Sequence, residues 1–274
     1  MGIEVSDLSF AYCTREVLRH VSFTAGDGRL LAVLGPNGVG KTTLFRCILG
    51  LQHRYGGSIS IDGEDARAMT ARELAHRVAY IPQTHGQAFS YSVRDMVLMG
   101  TTHSMPMMSV PKRRELDVAQ GALDRLGISY LAEKNFSHLS GGEQQLVLIA
   151  RALAQQTKTL LMDEPTASLD YGNQALVLRQ VRALADDGYA VLISTHNPQH
   201  ALWYADTALA LLDGEAAAFG PPEAVMNTEL IRRLYGVEAE MVQTEHGMLL
   251  SPVFGTRCGE QARTGETRSD IKSA

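Results

Sequence analysis

The 274-residue sequence predicts an α/β fold. It should have a mainly parallel sheet, an N-terminal antiparallel β portion and an inserted helical subdomain. RLLAVLG (29–35), TLLMDEP (159–165) and YAVLISTH (189–196) are near-continuous apolar runs of strand length. Continuous runs suit strands buried on both faces, as in a parallel sheet covered by helices. The second and third end in polar residues, and open parallel sheets place their ligands at the C-terminal ends of their strands.

The other elements follow in order. IEVSDLSFAY and VSFTAG alternate in polarity and read as strands of the antiparallel portion. TTLFRCILG (42–50) has helical apolar spacing closed by Gly50. GGSISIDGE (56–64) carries the Asp-Gly signal of a hairpin. SVRDMVLMG, ELDVAQGALDRLG and EQQLVLIARALAQ all show helical spacing with no clear strand among them, which places the helical subdomain at about residues 86–158. One domain is expected over residues 1–236. Residues 237–274 are expected to form a partly disordered extension, because GTRCGEQARTGETRSDIKSA is polar and contains glycines.

Composition narrows the function classes. A chain that is 45% hydrophobic and 20% charged is ordinary for a soluble globular protein. A net charge of −5 argues against nucleic acid as a partner, since binders of the phosphate backbone show a basic face. No apolar run approaches the roughly 18 residues of a membrane span. MGIEVSDLSFAY lacks the basic segment and apolar core of a signal peptide. Cys13, Cys47 and Cys258 are far apart and form no CxxC, which fits a reducing cytoplasm. A soluble, intracellular chain is expected.

GPNGVGKT (35–42) fits G-x-x-x-x-G-K-[ST] after a strand and at the opening of a helix. Glycines let several backbone N–H groups face one anion, and the helix N-terminus adds a favourable dipole. The core is thus expected to be that of a P-loop NTPase. Gly35, Pro36, Asn37, Gly38, Val39, Gly40, Lys41, Thr42 and Thr43 would hold the phosphates of a nucleotide. Lys41 would reach the β- and γ-phosphates, and Thr42 would ligate Mg²⁺. Asp163 ends a buried strand and is a second Mg²⁺ ligand, direct or through water. Glu164 either polarises the attacking water or caps the next turn. His196 ends another apolar strand on the same edge, where it is either a γ-phosphate contact or a structural histidine. Gln83 is placed to set an amide near Mg²⁺ or the attacking water. Tyr12 either stacks on adenine or belongs to the core.

LSGGEQQ (139–145) is a second glycine turn opening a second helix. Ser140 and Glu143 form a capping box that needs no ligand. Two glycines at the first helical positions, Gly141 and Gly142, cost about 1 kcal/mol each relative to alanine, and bare backbone there would admit a phosphate. Such an anion site serves another ligand or a nucleotide held by another subunit.

GPNGVGKTT, Gln83, LSGGE, LLMDEP, SLD and His196, in this order, resemble the motif set of ATP-binding-cassette ATPases: P-loop, Q-loop, signature, second acidic motif, D-loop and H-loop. The resemblance runs from about Tyr12 to His196. It implies a head-to-tail pair of identical subunits sandwiching two ATP molecules, in which Ser140, Gly141 and Gly142 close the partner's site. Ser168 and Asp170 would communicate across the interface, Tyr12 would stack on adenine, and Gln83 would link nucleotide to helical subdomain. SVRDMVLMG and LIRRLYGVEAEM (230–241) are similar to segments in ATPases of iron-siderophore, haem, vitamin B12 and molybdate importers. The implied partners are two membrane-spanning permease subunits, contacted at roughly His85 to Gly100, and indirectly a substrate-binding protein. The implied place is the cytoplasmic face of the inner membrane. Asn197 departs from the resemblance, because many relatives carry Asp there. The alternatives are an exporter ATPase and a soluble cassette ATPase that takes no part in transport. HSMPMMS (103–109) reads as adaptable packing in preference to a soft-metal site.

Overall fold

A computed structural model describes residues 2–83, 90–105, 110–245 and 247–253. Residues 84–89, which include the start of the expected permease contact, 106–109 of the Met-rich tract and the polar tail from 254 lie outside the described residues. β1 (Gly2–Tyr12) and β2 (Arg15–Gly26) form an antiparallel pair. β3 (Leu30–Leu34) runs into α1 (Lys41–Ile48). β4 (Gly56–Ile61) and β5 (Glu64–Asp65) make the anticipated hairpin. Its Asp62 and Gly63 have φ of 53° and 84°, and tight primed turns need positive φ at both positions. α2 (Ala71–Arg77) and β6 (Val78–Ile81) follow.

The helical stretch is α3 (Val93–Leu98), α4 (Arg113–Arg125) and α5 (Gly141–Ala154). These three helices pack on one another, and α5 also reaches the sheet, where Gln155 Nε2 donates to the Val78 carbonyl at 3.1 Å. The chain then alternates through β7 (Thr159–Met162), α6 (Tyr171–Asp186), β8 (Ala190–Thr195), α7 (Pro198–Tyr204) and β9 (Thr207–Leu212). It finishes with β10 (Glu215–Gly220), α8 (Pro222–Val225), α9 (Thr228–Tyr235), β11 (Ala239–Thr244) and β12 (Gly247–Pro252).

The main sheet has the order β10-β9-β3-β8-β7-β6, parallel except for β10. The N-terminal sheet has the order β2-β1-β4-β5, antiparallel throughout. The continuous apolar runs are explained by two cores. Leu30, Ala32, Leu34, Leu160, Met162, Val191 and Ile193 face the helical side. Leu31, Val33, Leu161 and Leu192 face α1 and the antiparallel sheet. Successive residues of one strand therefore feed opposite cores, and none of these positions is spared for water. Cys47 on α1 belongs to the second core, and burial pushes its thiol up to about 12.

The extension beyond residue 237 carries secondary structure in its first part. Residues 239–252 form the β11–β12 hairpin, with Met241 opposite Leu250 and both packed on the main core. The apolar signal is weak there because β11 has only Ala239 fully buried. Tertiary contact supplies what local pattern lacks.

Candidate active site

The C-terminal ends of the neighbouring strands β3, β8, β7 and β6 carry, respectively, the phosphate loop, His196, the Asp163-Glu164 pair and Gln83. Parallel pairing alone brings these segments to one edge. The loop enters α1 through Gly40, whose φ is 116°. A Cβ there would stand 2.9 Å from Leu18 Cδ2, so both conformation and space require glycine. A cleft of about 540 Å³ lies over the loop, lined by Tyr12, Arg15, Asn37, Lys41, Thr42 and Glu164 among others. Gly38, Gly40, Thr43 and Gln83 also line it. Pro36 and Val39 line an adjoining depression with Asn37 and Gly38.

Lys41 Nζ donates to the Gly35 carbonyl at 2.8 Å and the Pro36 carbonyl at 3.2 Å. It also stands 3.3 Å from Glu164 Oε1, with both side chains less than a tenth exposed. The other Glu164 oxygen accepts from Gln83 Nε2 at 3.0 Å and lies 3.3 Å from His196 Nδ1. Glu164 is thus a hub joining the phosphate loop to the residues after β6 and β8. It is no mere turn cap. Its φ of 47° is left-handed, a conformation that costs a non-glycine residue about 1 kcal/mol or more and clusters at functional sites. Asp163 is buried and accepts from Thr42 Oγ1 at 2.6 Å and Ser194 Oγ at 2.5 Å.

Tyr12 is 37% exposed and meets buried Phe10 in an edge-to-face pair with centroids 4.8 Å apart. It lines the rim of the cleft and is not core. The signature lies apart, since Ser140, Gly141, Gly142 and Asp170 do not line the cleft. The capping box is present, with Glu143 N donating to Ser140 Oγ at 3.3 Å and Ser140 N to Glu143 Oε2 at 2.9 Å. Asp170 caps α6 through the Asn173 N–H at 2.8 Å. A Cβ on Gly142 would meet Asn173 Oδ1 at 2.3 Å, whereas one on Gly141 would meet only Leu169 Cδ2 at 3.1 Å. The close approach of α6 therefore accounts for Gly142 without any ligand, a reason that bare-backbone reasoning from sequence does not supply.

A family model described as ABC transporter matches residues 18–167. The chain belongs to the ABC transporter family. It is 39% identical over 242 residues to an ABC transporter ATP-binding protein of Haemophilus influenzae, covering 88% of this chain and 92% of that one. It is also 39% identical over 230 residues to the hemin import ATP-binding protein HmuV of Rhodococcus jostii, covering 84% and 78%. A solved metal-chelate type ABC transporter in an inward-facing conformation superposes with a TM-score of 0.81 at 32% identity, covering 92% of this chain and 98% of that one.

This ABC ATPase carries site residues that sequence reasoning missed. Ser194 is fully buried, and its hydroxyl donates to Asp163 while accepting from the Glu164 N–H at 2.8 Å. One side chain thus fixes both adjacent carboxylate residues. No local pattern marks Ser194, because its partners stand at the end of the neighbouring strand β7. Tyr80 makes a long contact to Asp163 Oδ2 at 3.4 Å. Burial, then the Asp163 charge, pushes its phenol up to about 12, so it stays a neutral donor. Tyr235 of α9 is half-buried, with its hydroxyl enclosed beside the Gly35 backbone but outside hydrogen-bonding geometry. Burial raises that phenol as well.

The donor set also fits Mg²⁺. A threonine hydroxyl touching a carboxylate is a hard oxygen pair, and Mg²⁺ is commonly held by one or two such groups with phosphates and water completing the shell. Among the described residues no cluster of three or more His, Cys, Asp or Glu forms a closed metal cage. At the start of the Met-rich tract, the His103 ring pairs with the Gly100 carbonyl at 3.1 Å and meets His76 edge to face. Among the described residues no helix is long and apolar enough to cross a membrane.

Proposed function

We propose that two copies of this ATPase pair head to tail and energise uptake of a metal chelate or related cofactor through two membrane-spanning permease subunits. A substrate-binding protein would deliver the cargo, and the ATPase would sit on the cytoplasmic face of the membrane. The observation that carries the mechanism is the separation of two sites. The cleft is lined by phosphate-loop residues, Gln83 and Glu164, and His196 touches Glu164 from beside it, whereas Ser140 and Gly141 neither line it nor touch that hub. A signature that cannot serve its own cleft serves the partner's. Similarity to a hemin import protein and a metal-chelate type transporter supports the importer reading.

The chemistry follows from the hub. Gly38, Gly40 and Lys41 bind the phosphates, and Thr42 and Asp163 are the residues that would hold Mg²⁺, which would supply neutralisation of charge on the phosphates. Tyr12 takes the adenine. Glu164 orients and deprotonates the attacking water, an effect worth about 10²–10⁴-fold. Gln83 and His196, both on Oε2 of Glu164, hold that carboxylate in line and reach the γ-phosphate side of the cleft.

Glu164→Gln keeps shape but removes the base. Hydrolysis should fall by about 10²–10⁴-fold, while size exclusion in ATP and Mg²⁺ should show a trapped dimer. A variant that hydrolyses normally would remove Glu164 from this role. One that binds ATP yet stays monomeric would remove the composite site. Uptake by the wild type with its permease, compared for hemin, ferric siderophore and cobalamin, tests the cargo class.

A further inference from the structure

We propose that the C-terminal hairpin braces His196, with Gln199 as the positioning residue that transmits its grip. The inference rests on the hydrolytic role of the Glu164–His196 pair. His196 follows β8 directly, and its side chain is 55% exposed with Glu164 Oε2 as its contact. Its backbone is set by what comes next. Helix α7 begins two residues later and is seven residues long. So short a helix has little stability of its own and is held by tertiary contact.

Gln199 supplies that contact at two points. Its Nε2 donates to the Met248 carbonyl at 2.9 Å, and its Oε1 accepts from the Leu250 N–H at 2.9 Å. Both partners are on β12, whose other edge pairs with β11. The amide thus acts as one more strand residue on the free edge of the hairpin, satisfying backbone groups that would otherwise stand unpaired. The hairpin is anchored independently, since Met241 and Leu250 pack on the main core. The Asn197 cap secures the near end of α7, and its Oδ1 accepts from Gln199 N at 2.9 Å. Gln199 therefore ties the residues flanking His196 to a fixed platform formed by the chain after α9.

A brace of this kind acts on turnover and leaves nucleotide capture alone, because Tyr12, Lys41 and Thr42 are held by other strands. Gln199→Leu removes both bonds at similar volume. Steady-state ATP hydrolysis should lose about tenfold in kcat, as expected for misplacement of a reacting group by a fraction of an ångström. KM for ATP should stay within about twofold, and the melting temperature should fall by only about 2–6 °C, as loss of two hydrogen bonds implies. Gln199→Glu keeps the acceptor for Leu250 and loses the donor to Met248, so it should fall between wild type and Gln199→Leu. It also reads the same quantity should Gln199→Leu fail to fold. Unchanged kcat in the full-length variants overturns the brace, as does a parallel fall in kcat and ATP affinity with a larger loss of melting temperature. A wild type without ATP hydrolysis would instead sink the reading of the site itself.

Discussion

His200 lies four residues beyond His196 and has a different task. It is 7% exposed, and its Nδ1 meets Thr195 Oγ1 at 3.2 Å while its Nε2 meets Asn197 Nδ2 at 3.1 Å. An amide N–H₂ can only donate, so Nε2 accepts and the proton sits on Nδ1. This accounts for Asn at 197, because a carboxylate there would demand a proton on Nε2. Burial, then the nearby His196, lowers the ring to about 4. The unfolded chain takes up that proton near 6.5, so the unfolded state binds more protons between those limits. Stability is full above about 6.5 and falls as the pH drops toward 4. Urea melts at pH 7 and pH 5 should show a loss about 2 kcal/mol larger than in His200→Gln. Equal losses would mean that the ring is not neutral in the fold. The meeting of Lys41, Thr42 and Asp163 at one strand edge was legible in the sequence because motif spacing names them. Ser194 and His200 were not, since their meaning comes from partners on other elements.

Among the elements, α5 shows where local reading stops. Ser140, Glu143 and the helical spacing were legible, and so was the cost of two glycines. The approach of α6 was not, since it depends on packing between segments. Gly142→Ala should force Asn173 aside and destabilise the protein by about 1–3 kcal/mol, read by thermal or urea melts. Asn173→Ala in the same chain should return part of that loss, because the 2.3 Å clash is with Asn173 Oδ1. No recovery would mean that Gly142 is needed for something other than this contact. The β11–β12 hairpin was illegible for a related reason: its strands carry too few core positions to show a period, and docking on α7 and the core holds them.

At the scale of the molecule, the layered architecture was read from three apolar runs, because a strand buried on both faces has no other way to be written. Strand order was beyond that reading. The sheet sets β3 between β8 and β9, pairing Leu30 with Val191 and Leu31 with Thr207. β1 and β2, by contrast, pair across a tight turn at Cys13 and Thr14. Loop closure over long separations is slow, while hairpins form in about 1–10 μs. Pulse-labelled hydrogen exchange during refolding should protect Phe23 and Val5 before Val33 and Leu34. The reverse order would contradict a topology-limited path. The position of β3 also bears on synthesis. A ribosome making about 5–20 residues per second releases the phosphate loop long before either neighbour of β3 exists. The most recognisable stretch of the sequence is thus among the last to find its place, and until β8 and β9 emerge, the apolar β3 has neither of its strand partners.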